Sequence, residues 1–88
     1  MHTAAKYIRF EGSLGPRMVV FSGSLEHKQV ARALQTEFPD LEPESAGFVV
    51  VSDFGEGPEY QCVGNSVTLG MKADPRDSDL AKRLLADD

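Results

Sequence analysis

The chain is poor in several features that a small protein could use. It has one cysteine, Cys62, in 88 residues, so no intramolecular disulfide can form. Secreted domains of this size usually carry such staples, so their absence points to a reducing, cytoplasmic setting. No apolar run is long enough to span a bilayer. The first residues, Met1 to Lys6, lack the apolar stretch of a signal peptide. Potential soft metal ligands are limited to His2, His27 and Cys62, which stand far apart without C-x-x-C or H-x-x-x-H spacing. Neither a structural metal nor a cofactor is expected. A Walker lysine and a full Gly-rich nucleotide fingerprint are also missing.

Basic residues are absent from positions 33–71, a span that carries seven acids: Glu37, Asp40, Glu42, Glu44, Asp53, Glu56 and Glu59. The whole chain has a formal net charge of −5 and a pI near 4.9. This argues against binding to a phosphate backbone, which needs clustered Lys and Arg. No direct nucleic-acid binding and no membrane association are expected. A basic protein partner, steered by complementary charge, fits better. The plainer alternative is that the acids only keep a small protein dispersed.

What is present suffices for one packed domain over residues 1–88, with 1–5 and 87–88 expected to be flexible. The hydrophobic fraction is 41%. Lys6 to Glu11 alternates with period two, placing Ile8 and Phe10 on one face and Tyr7, Arg9 and Glu11 on the other. Met18 to Phe21 is a second strand, apolar on both faces, joined to the first through Gly12 to Pro16. Ser24 reads as the N-cap of a helix whose stripe is His27, Val30, Leu34 and Phe38, ended by Pro39. Ala46 to Ser52 is the strongest strand, followed by a Gly-rich turn and the alternating Glu59 to Val63. Val67 to Met71 alternates again, with Val67, Leu69 and Met71 expected inward. Asp74 as N-cap, Pro75 at the first helical position and Asp77 in the first turn open a second helix, with Leu80, Ala81, Leu84 and Leu85 as its stripe. The expected fold is α+β in the order ββαβββα: a five-stranded, mainly antiparallel sheet with both helices on one face.

Two candidate sites follow. Ser22, Gly23 and Ser24 lie between a buried strand and a helix start, where free N–H groups and the dipole can hold an anion, with His27 in reach. The opposing reading is an ordinary cap with His27 half-buried on the apolar stripe. The second site is the acidic segment, represented by Glu42, Glu44, Asp53, Glu56 and Glu59, as a surface for a basic partner. The Asp53–Glu59 turn does not match an EF-hand loop, and an acidic hairpin tip is the simpler reading. Cys62 beside His27 could act as a nucleophile if the fold joined them, but no base and orienting acid declare themselves, so no catalytic residue is assigned. Cys62 reads more simply as a small core residue.

The segments Ser45-Ala46-Gly47-Phe48-Val49 and Cys62 to Lys72, with Asp77 and Leu80 to Leu85, resemble small bacteriophage- and prophage-encoded proteins. That resemblance carries no activity; it implies a bacterial or phage setting. The sequence therefore reads as a non-enzymatic protein-interaction or accessory module using an acidic surface. The alternative is a small anionic-ligand binder or minor enzyme at the Ser22–His27 turn. An open sheet with one uncovered face would also favour a two-fold homodimer through an edge or that face.

Overall fold

The computed structural model describes the backbone of residues 2–53, 55 and 57–85, and side chains for 4–53, 55 and 57–84. Strands β1 (His2–Gly12), β2 (Gly15–Phe21), β3 (Glu42–Asp53) and β4 (Pro58–Val63) form an antiparallel sheet in the order β2-β1-β3-β4. Two short strands, β5 (Asn65–Ser66) and β6 (Met71–Lys72), make a separate two-stranded ladder. Helix α1 (His27–Glu37) follows β2, and α2 (Asp77–Leu85) follows β6. The α+β class and the antiparallel sheet thus match expectation. The five-stranded sheet does not: the main sheet has four strands, and β5 and β6 stand apart.

The placement of the helices is a second correction. Ala31 of α1 packs with Ile8, Phe10 and Ala46, whereas Ala81 of α2 packs with Tyr7, Val49 and Cys62. Neighbouring residues of a strand point to opposite faces. Tyr7 and Ile8 therefore lie on opposite faces of β1, and each sheet face has one helix. The cause is legible in the strands. A sheet whose strands are apolar on both sides needs both sides covered. Tyr7, Ile8 and Phe10 are all fully buried. Helix α2 covers the sheet face expected to be open for a homodimer.

Local chemistry explains further differences. Residues 2–5, expected as a tail, pair with Val49–Ser52 of β3; residues 87 and 88 lie outside the described residues. Helix α1 begins at His27, capped by Glu26 rather than Ser24, and Gln29 Oε1 accepts the Glu26 N–H at 2.9 Å. Val67 to Gly70 is a turn, not a strand, closed by Gly70 N–H to Val67 O at 3.2 Å. Gly70 sits at φ 65° and Gly64 at φ 79°, a conformation that side chains with a Cβ resist. Val67 is consequently 87% exposed, while Leu69 and Met71 still pack on the α1-side core.

The α2 stripe is narrower than the sequence suggests. Leu80 and Ala81 are buried, but Leu84 is 47% exposed; the Leu85 side chain lies outside those described. On α1, Val30 and Leu34 pack on the core, whereas Phe38 is 54% exposed. Leu80→Ala should therefore lower stability by about 2–5 kcal/mol, as for a buried leucine, and Leu84→Ala by less than about 1 kcal/mol. Urea denaturation of the two variants checks this; equal losses would refute the assigned helix orientation.

Candidate functional site

Polar or exposed apolar side chains gather at several places among the described residues. The first is buried beneath the start of α2. Helix α2 begins at Asp77, so Asp74 and Pro75, expected as N-cap and first helical residue, lie in the turn before it; Asp74 Oδ1 accepts the Arg76 N–H at 2.9 Å. Asp77 in turn accepts the Asp74 N–H at 3.2 Å, so side-chain bonds close the turn that leads into the helix. The Asp77 carboxylate is 1% exposed and has further partners from the sheet. Tyr7 and Ser45 each donate a hydroxyl to Oδ2 at 2.5 Å. Arg9 Nε lies 2.7 Å from Oδ1 and 3.1 Å from Ser45 Oγ. Arg9 also pairs with Glu11. Cys62 lies in the same core cluster as Tyr7.

Burial, then the bond and charge of Asp77, push the Tyr7 hydroxyl well above its ordinary value. Burial, with the Asp77 charge, pushes the Cys62 thiol up to about 11. Both groups are therefore protonated at neutral pH, and Cys62 is not a prepared nucleophile. The structure does not bring Cys62 to His27: the thiol faces α2, while the His27 ring packs against Phe21 and Phe48. Every buried side-chain nitrogen and oxygen among the described residues has a partner. The cluster ties α2 to the sheet. Sequence reading missed it by treating Arg9 and Asp77 as local features.

The second place is the Ser22–His27 turn. Here the Ser24, Leu25, Glu26 and Lys28 N–H groups are engaged within the protein. Ser22 Oγ lies 2.9 Å from Ser24 Oγ and accepts the Ser24 N–H at 3.2 Å. The Leu25 N–H donates to Ser22 O at 3.1 Å, and the Lys28 N–H donates to Thr68 Oγ1 at 3.2 Å. Gly23 is exposed. His27 is 4% exposed, and its Nε2 lies 2.9 Å from Gly47 O. A carbonyl can only accept, so Nε2 carries the proton. His27 is a wall of the core with its ring bonded inward.

The third place is a groove of about 300 Å³ between the β1–β2 turn and the C-terminal end of α1. Val19, Leu34 and Leu41 line it from the core side. Leu14 and Phe38 line it too, and are 81% and 54% exposed. Asp40 lies on its rim and holds the turn, accepting the Ser13 N–H at 3.2 Å and the Ser13 hydroxyl at 2.9 Å. Those bonds hold the Asp40 carboxyl below its ordinary value.

The acidic residues do not form one surface. Glu42 and Glu44 open β3, and a register shift opposite Arg9 and Phe10 leaves Glu44 unopposed. Asp53 closes β3, and Glu59 pairs opposite Ser52. At about 3.3 Å per residue, Glu44 and Asp53 are about 30 Å apart. Glu56 lies outside the described residues. Glu42 is opposite Glu11 and adjoins Leu41, so it belongs with Asp40 near the groove. The exposure of Leu14 and Phe38 had no signal in the sequence: Leu14 sits in a turn, and the periodicity of Phe38 with Val30 and Leu34 points to burial.

Among the described residues, no three His, Cys, Asp or Glu side chains are grouped to hold a metal, and no helix is long and apolar enough to cross a membrane. Comparison of the chain with protein families, with curated proteins and with solved structures finds no match.

Proposed function

We propose that the chain is a non-enzymatic protein-binding module, an accessory protein of the phage-encoded kind that its sequence resembles, and that it docks a basic, apolar segment of a partner protein in the Leu14–Phe38 groove. The carrying observation is the exposure of Leu14 and Phe38, at 81% and 54%, on a groove with an apolar floor. Large side chains left in solvent around a pocket are the usual mark of a contact site.

Charge favours a cationic partner. Asp40 lies on the rim, and Glu37 and Glu42 flank it in the chain. Helix α1 ends here with no basic residue in its last turn, so the negative end of its dipole is uncompensated. Arg17 also lines the groove and sets the side away from which a partner's cations would lie. The acids at the far end of β3 are too distant to take part, which narrows the acidic surface to this end of the molecule.

The test is an amide-shift titration with a helical Leu/Lys peptide and its Leu/Glu counterpart. The Leu/Lys peptide should give saturable shifts confined to residues 12–17 and 34–42, weakening as salt rises. Leu14→Ser should reduce that affinity by about tenfold or more, equivalent to about 1.4 kcal/mol. Equal binding of both peptides, or shifts spread elsewhere, would refute the reading. Concentration-dependent shifts at the same residues without peptide would instead assign the groove to a second copy of the chain.

A further inference from the structure

On the same sheet face as α1 lies a second opening of about 350 Å³, between the start of that helix and the Asn65–Thr68 segment. Its lining joins a flat apolar surface to two opposite charges. Phe48 is 37% exposed there and Val67 is 87% exposed. Lys6 and Glu26 line the same opening. Lys6 Nζ donates to Leu25 O at 2.7 Å, which fixes the ammonium and leaves two of its three donors to spare. Among the ion pairs of the described residues none joins Lys6 to Glu26, although both border one small cavity. Asn65 and Thr68 add amide and hydroxyl groups at the turn side.

The frame is rigid where a ligand would rest. His27 stands edge-on to Phe48, with ring centroids 6.1 Å apart and planes at 89°. Its Nε2 bond to Gly47 O locks that ring. The Lys28 N–H to Thr68 Oγ1 bond ties the helix start to the turn. A cation and an anion that share a cavity without meeting offer complementary ends to a ligand that carries both charges. The aromatic surface beside them suits an apolar group, and the volume lies at the small end of ligand sites.

We propose that this opening binds a small zwitterion with an apolar side chain, of the free α-amino-acid type. The carboxylate meets Lys6, the ammonium meets Glu26, and the side chain lies over Phe48 toward Val67. Glu26 also caps the helix, its side chain facing the Gln29 N–H, and a carboxylate with about four lone-pair sites can accept from an ammonium as well. The site is independent of the Leu14–Phe38 groove, so either can fail without the other.

The experiment is an amide-shift titration of the whole chain with L-phenylalanine, 3-phenylpropionate and phenethylamine. L-Phenylalanine should give saturable shifts at Phe48 and residues 65–68. Each single-charge analogue should bind about tenfold or more weakly, because each loses one charge-assisted contact. Lys6→Gln should remove the advantage of L-phenylalanine over phenethylamine, and Glu26→Gln its advantage over 3-phenylpropionate. The comparison of the three compounds on the unaltered chain decides the matter if a variant folds poorly. Absence of saturable shifts, shifts outside the opening, or equal binding of all three compounds would overturn the proposal.

Discussion

Asp77→Ala should bring the protein close to unfolding at room temperature, with a loss of about 3–5 kcal/mol. A chain of this length has a total stability of about 4–13 kcal/mol at the usual value per residue, so the loss removes a large part of it. The size follows from what the carboxylate leaves behind. Arg9, whose side chain is 16% exposed, would lose its closest buried counter-charge. The Tyr7 and Ser45 hydroxyls would lose their shared acceptor, and the Asp74 N–H its cap. A buried charge stripped of its partner costs far more than the intact pair contributes. Tyr7→Phe removes one donor and keeps the ring, so its cost should be about 1 kcal/mol. The double variant Arg9→Met with Asp77→Leu should recover part of the Asp77→Ala loss, since no buried charge is then orphaned. Urea denaturation of the series measures all of this. An unchanged midpoint for Asp77→Ala would mean that the cluster does not hold α2 on the sheet.

That cluster also marks the limit of what the sequence made legible. Strands β1 to β4 were readable because alternation and β-branched runs fix strand type locally. The approach to α2 was readable from Asp74, Pro75 and Asp77, although the helix itself begins at Asp77 and not at Pro75. The face on which each helix lies was not readable from its own stripe, because a stripe records that a helix is half-buried and not against which side. The discriminating clue was in the strands. Met18–Phe21 and Phe48–Val51 are apolar on both faces, which requires two covers. Once both faces are covered, Arg9 on the second face of β1 must be paired in the interior, and Asp77 becomes its natural partner. The last stretch failed for a different reason. Val67, Leu69 and Met71 alternate like a strand, but Gly70 at φ 65° turns the chain, and backbone conformation there outweighs the pattern. Of the candidate sites, the Ser22–His27 turn was located correctly as the entry to a helix. Its Ser24, Leu25 and Glu26 N–H groups are taken by Ser22 and Gln29, and the Lys28 N–H by Thr68, which comes from a distant part of the chain.

Alkaline solution should unfold the protein through the same interior. The Cys62 thiol, with an ordinary value of 9.0, is pushed up to about 11 by burial and by the Asp77 charge. The Tyr7 hydroxyl is raised above its ordinary 10.0 by burial and its bond to Asp77. A group whose folded value is raised holds its proton longer in the folded state than in the unfolded state. Its contribution is complete below the unfolded value and is lost as pH rises toward the folded one. Stability should therefore be flat with respect to these two groups up to about pH 8, and should begin to fall near pH 9 as unfolded Cys62 releases its proton. By pH 11 the thiol alone accounts for about 2–3 kcal/mol of loss, at about 1.4 kcal/mol per pH unit. Tyr7 adds to the slope above pH 10, so the melting temperature should fall fastest there. Cys62→Ala removes the first component and Tyr7→Phe the second. Melting curves between pH 7 and pH 11 should show the decline starting about one pH unit later in Cys62→Ala than in the unaltered chain, and with a shallower slope above pH 10 in Tyr7→Phe. If both variants follow the parent curve after correction for their stability at pH 7, the alkaline transition belongs to other groups, and the Tyr7–Cys62 interior is open to solvent.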